Sequence, residues 1–74
     1  MYAHYDTEVD IAWFRFGSDD DSQIDHSDEM DWGLIDRDTS GRVVGLEFWN
    51  ASERLPSELL EALPAPGRRR VPAP

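Results

Sequence analysis

The chain has no cysteine and no lysine, and its 74 residues include only two histidines. Without cysteine no disulfide can staple the fold, and neither a thiolate nucleophile nor a thiolate metal site is available. Without lysine all seven bases are arginines, outnumbered by sixteen acids. No apolar run approaches the roughly 20 residues of a membrane-spanning helix. The start, Met1-Tyr-Ala-His-Tyr-Asp6, lacks the basic and apolar segments of a signal peptide, so a cytoplasmic location and no membrane contact are expected. A chain this short forms one small domain with a modest core, which makes a dimer or a bound partner a natural source of extra apolar cover.

What is present is acid. Residues 1–63 hold four arginines against all sixteen acids, because Arg68, Arg69 and Arg70 lie in the tail. Such a body repels nucleic-acid phosphates and attracts a basic protein, although solubility alone explains the composition equally well. Between Asp19 and Asp31 there are seven acids and one histidine, His26, but no regular ligand spacing, so a solvated charge run is the expectation there.

Along the chain, Tyr2 to Tyr5 reads as a first strand and Asp6 to Asp10 as a turn. Ile11 to Phe16 is an aromatic strand with two distinct faces. Ala12, Phe14 and Phe16 are assigned to the core. Ile11, Trp13 and Arg15 are assigned to the outer face, where an aromatic is either covered by a helix or used at an interface. Gln23 to Asp28 is a candidate edge strand blunted by polar residues. Two apolar runs, Trp32–Ile35 and Val43–Trp49, flank the turn-rich Asp36–Arg42 and read as a central hairpin over 32–49. Asn50 to Pro56 is a bend. Leu55, Leu59, Leu60 and Leu63 lie at helical spacing, with Pro56 at the start and Pro64 at the end, and predict a helix over about 56–63 that must dock on the sheet. The expected architecture is mainly β with one short helix, a small α+β antiparallel sheet of four or five strands. Residues 1–63 would form the domain and 64–74 a disordered Pro/Arg tail.

The central stretch also fits a calcium loop, Asp-x-Asp-x-Ser-Gly-x5-Glu, with Asp36, Asp38, Ser40 and Glu47 as side-chain ligands. That motif needs a helix on each side. The flank before it contains Gly33, and the residues after Gly41 are β-branched and aromatic, so a hairpin is the preferred reading and calcium the alternative. In the hairpin, Asp36 and Asp38 bond the turn backbone and Gly41 supplies a positive φ.

Tyr5-Asp-x-Glu-x-Asp with Arg15-Phe16, then Asp36-x-Asp-x-x-Gly-x-Val-Val-Gly-Leu-Glu-Phe48 and Ala51-Ser52, resembles the domain of unknown function 2283 family over roughly residues 3–55. The resemblance implies a small, mostly prokaryotic protein rich in antiparallel strands, with no assigned activity, catalytic residue or cofactor. Some members are encoded beside small RelE-like toxins, which implies an antitoxin role by association. The chain differs from the usual pattern at Trp32-Gly33 and in its heavier acidic loop and Arg-Pro tail.

The function expected is therefore a non-enzymatic interaction module that binds through Trp13, Trp49, Ile11 and Arg15, pairs with itself or with a basic protein such as a toxin, and uses no cofactor. The alternatives are calcium binding, a dimer that binds a small molecule, and a small enzyme using His4 or His26 beside a carboxylate.

Overall fold

The computed structural model describes residues 2–17 and 23–65. Five strands form a single antiparallel sheet: β1 (Tyr2–Asp6), β2 (Ile11–Arg15), β3 (His26–Met30), β4 (Gly33–Arg37) and β5 (Val43–Trp49). Their order across the sheet is β1-β2-β5-β4-β3, so β5 lies in the middle, and the β2-to-β3 connection leads to the far edge. Two short helices follow, α1 (Ala51–Arg54) and α2 (Ser57–Ala62).

Local chemistry accounts for each turn. After β1, the Asp6 carboxylate accepts the Glu8 N–H at 2.9 Å and the Asp6 carbonyl accepts the Asp10 N–H at 2.8 Å. Asp10 then sits in the left-handed region at φ 59, a conformation that Asp tolerates better than most residues. The central turn, as expected, is built on Asp38. Its carboxylate accepts the backbone N–H groups of Ser40 and Arg42 at 2.9 and 3.0 Å and the Ser40 hydroxyl at 2.7 Å, while Gly41 takes φ 90. A bulge at Asp36/Arg37 adjusts the register of β4 against β5.

Gly33 is required for a different reason. A Cβ there would lie 1.8 Å from the Glu47 carbonyl oxygen, and φ is +155. Only glycine lets β4 approach β5 that closely.

The core lies between one face of the sheet and the helices. Ala12 and Ala51 are completely buried, and their small side chains let the helical segment come close to β2. Leu60 fills the space above them. Tyr5, Phe14, Phe48, Leu55 and Leu63 pack around this centre. Burying Leu60 contributes about 2 kcal/mol. Among the described residues no large side chain is fully buried.

Several sequence expectations shift. Phe16, assigned to the core, is 36% exposed, because β2 ends at Arg15 and the chain turns away at Gly17 (φ 96). The edge strand is His26–Met30 rather than 23–28, and Ile24 precedes it. Trp32 is not a strand residue: Asp31 and Trp32 form the tight connection between Met30 and Gly33, which are paired. Its ring stacks on Phe48 with centroids 4.8 Å apart. The expected bend after Asn50 contains the one-turn helix α1, and the longer helix begins at Ser57 rather than Pro56. The tail expected from residue 64 begins with an ordered contact, since the Pro64 carbonyl accepts the Tyr5 N–H at 2.9 Å. Arg68–Arg70 and the loop acids Asp19–Asp21 lie outside the described residues.

Candidate interaction face

The helices cover the face of the sheet that carries Ala12, Phe14 and Phe48. Strand alternation sends Ile11, Trp13 and Arg15 to the opposite face, and the register puts β5 residues beside them. Ile11 pairs with Trp49, Trp13 with Glu47, and Arg15 with Gly45. The four residues expected at a partner surface, Trp13, Trp49, Ile11 and Arg15, therefore share one face. No described helix packs on it.

Glu47 organises this face. One carboxylate oxygen accepts the Trp13 indole N–H at 2.9 Å and the other accepts the Trp49 indole N–H at 2.7 Å. Hydrogen bonds to an ionised acceptor are strong, and here they fix two large aromatic side chains relative to one another. Trp13 is held on its other side by His4, with ring centroids 4.6 Å apart, and Tyr2 meets His4 edge-on at 5.4 Å. Across β4, Leu34 stands opposite Glu47 and adds an aliphatic surface. A second polar contact lies one row along: Arg15 donates to Asp36 at 3.0 Å, and the Ser27 hydroxyl donates to the other Asp36 oxygen. Asp36 is only 6% exposed, so its charge is neutralised where it is buried. The result is an aromatic and aliphatic surface whose central charges are satisfied within the chain.

In this arrangement each of the four calcium-ligand candidates is already engaged by partners within the chain. Asp36 is engaged with Arg15 and Ser27, Glu47 with the two indoles, and Asp38 with Ser40 and Arg42 inside the turn. Ser40 is exposed in that turn and donates to Asp38. Strands rather than helices flank the loop. The bonds from Ser40 first, and from the Arg42 backbone next, also hold the Asp38 carboxyl below its ordinary pKa. Among the described residues no three His, Asp or Glu side chains gather as a metal cluster.

The two histidines are on opposite edges. His4 lies in β1 and packs on Trp13, whereas His26 lies in β3, exposed, with Nδ1 2.8 Å from its neighbour Asp25. The full width of the sheet lies between them, so they share no acid–base site.

A second feature was not anticipated from sequence. Asp10 joins the first turn to α1: its carboxylate accepts the Tyr5 hydroxyl at 2.6 Å, the Ser52 N–H at 2.9 Å and the Ser52 hydroxyl at 2.7 Å. Its carbonyl accepts the Ala51 N–H at 2.9 Å. Asp10 thus caps a helix that starts some forty residues later, a task the local residue Asn50 leaves undone. The Tyr5 and Ser52 bonds lower the Asp10 pKa, and the bond to Asp10 raises that of Tyr5. Beside this network is an open groove of about 670 Å³ between the first turn and α2, lined by Tyr5, Asp6, Glu8, Leu60, Glu61 and Leu63.

Glu47's role could be guessed only from its position two residues before Trp49 on the same strand face. The Asp10–Ser52 link leaves no local signal at all.

Comparison with protein families gives a match to the family described as protein of unknown function (DUF2283), over residues 3–52. Comparisons with curated proteins and with solved structures give no match. The matched span runs from β1 through the whole sheet to Ser52, and so includes both the Glu47-centred face and the Asp10 cap. On that match, the chain belongs to the DUF2283 family.

Proposed function

We propose that this protein is a non-enzymatic interaction module that docks partners on the uncovered face of its sheet. One observation carries the reading: Trp13 and Trp49 are fixed side by side through Glu47 on a face that no described helix covers. Tryptophans anchored in this way are typical of binding hot spots, because they offer large contact areas and have little rotamer freedom left to lose. A net charge of −9 favours encounters with basic proteins and disfavours nucleic acid. An antitoxin-like pairing with a small basic protein is compatible with that charge.

The test is a titration of the purified chain with a basic protein encoded next to it, read by tryptophan emission at low and high salt. Binding that weakens with salt and with Trp13→Ala supports the proposal. Absence of binding at low salt refutes the basic-partner part of it.

A further inference from the structure

We infer that the occupant of the uncovered face is a second copy of this chain, in a face-to-face dimer with the two β5 strands at its centre. The inference rests on the reading of that face as a docking surface and names what docks there.

Three observations favour a second copy. The first is a deficit in the fold. The molecule is a slab 18 Å thick, one sheet with one layer of helix, and among the described residues no large side chain is fully buried. Domains are stable as packed layers that bury the apolar faces of their elements, and here no described helix or strand packs against one face of the sheet. A partner needed from the moment of folding is met most directly by another copy of the same chain.

The second is area. Five strands about 4.8 Å apart and five to seven residues long cover roughly 400–500 Å² in projection. Side-chain relief raises the accessible area toward the roughly 800 Å² per partner of a standard interface. The third is charge. Two acidic chains repel, yet the middle of this face is less acidic than the chain as a whole: Asp36 is paired with Arg15, and the Glu47 carboxylate, which keeps its charge, has both oxygens hydrogen-bonded by indole N–H groups. The remaining acids of the face, Asp6 and Glu29, belong to the two outermost strands. A twofold pairing sets the same surface against itself, so β5, the middle strand, meets β5. Trp13, Leu34 and Trp49 then provide the contacts around each Glu47.

Sedimentation equilibrium of the full chain from about 1 µM to about 200 µM, with thermal unfolding over the same range, tests this. The expected mass at the upper end is twice the 8.5 kDa of the chain. A tenfold rise in concentration should raise Tm by roughly 3–6 °C if folding and pairing are coupled. Leu34→Lys, placed on the face, should give monomer with a strand-rich circular dichroism spectrum, while Glu58→Lys, exposed on α2, should leave the dimer intact. A monomer mass throughout with a concentration-independent Tm overturns the inference, as does a dimer indifferent to Leu34→Lys. If Leu34→Lys fails to fold, the mass and Tm series of the unaltered chain decide. A monomeric chain that still binds a basic protein through Trp13 refutes the second copy alone and leaves the docking face standing.

Discussion

Replacing Asp10 should destabilise the fold more than its partly exposed position suggests. Its carboxylate accepts three hydrogen bonds, two from Ser52 and one from Tyr5, and these tie the β1–β2 turn to the start of α1. Single hydrogen bonds contribute about 0.5–1.5 kcal/mol and loss of a helix cap costs about 0.5–2 kcal/mol. The terms overlap, and water can replace part of what is lost at a half-exposed site, so about 2 kcal/mol is the expected cost of the contacts. Asp10 also has φ 59, where alanine is strained by a further ~1–2 kcal/mol. Asp10→Ala should therefore cost about 3 kcal/mol, whereas Asp10→Gly, which relieves the backbone, should cost nearer 2 kcal/mol. Urea unfolding of the wild type and both variants, compared at one protein concentration, measures these differences. An Asp10→Ala variant within about 0.5 kcal/mol of wild type would refute the assignment of Asp10 as the cap that joins the two ends of the fold.

The Asp10 pKa is lowered by folding, so its ionised form favours the native state. That contribution is present above the unfolded carboxylate value of about 4 and disappears as pH falls through the lower folded value; Asp10→Asn should lose stability less steeply than wild type in acid, and equal slopes would contradict this. Gly33→Ala should abolish cooperative unfolding, because the added carbon would lie 1.8 Å from the Glu47 carbonyl oxygen; a folded variant by circular dichroism would show that β4 and β5 can separate cheaply. Leu60→Ala, at a site only 6% exposed, should cost about 2–4 kcal/mol by denaturant titration, and a cost below about 1 kcal/mol would mean that the helix layer contributes little. Millimolar calcium should leave Tm unchanged, since Asp36 and Glu47 are committed to other partners; a clear rise would show that those bonds exchange for metal.

Much of the fold is written in local pattern. The alternation of Ile11 to Arg15 gives a strand with one aromatic outer face, and Asp38 with Gly41 specifies the central turn before any tertiary contact is considered. The leucines at 59, 60 and 63 give the second helix in the same way. The misses have physical causes. β3 is an edge strand, held by pairing to β4 and carrying few apolar side chains, so the period-two signal is absent from its acidic sequence. α1 is four residues long, too short for periodicity, and depends on Asp10 for its cap. Adjacency of β2 and β5 is a matter of topology, which no local window contains.

The site divides along the same line. Alternation alone assigns Ile11, Trp13 and Arg15 to one face, and Trp49 follows from the alternation of β5. The role of Glu47 required the β2–β5 register, because its first indole partner is thirty-four residues away. The same register gives the residues of the calcium-like spacing other partners. Residues that would surround an ion in a helix-flanked loop are, on paired strands, drawn off to Arg15, Ser27, Trp13 and Trp49.

The three tryptophans offer a direct test of the docking face, since two lie on it and the third does not. Trp13 and Trp49 donate to Glu47 on the uncovered side, whereas Trp32 stacks on Phe48 on the helix side. In a nitrogen–proton NMR spectrum their indole N–H signals are separate reporters within one sample. As the chain is taken from dilute to concentrated solution, or titrated with a basic partner, the Trp13 and Trp49 signals should move together while Trp32 stays in place. A shift confined to Trp32, or no indole shift during a demonstrated association, would contradict the claim that this face is where the protein binds.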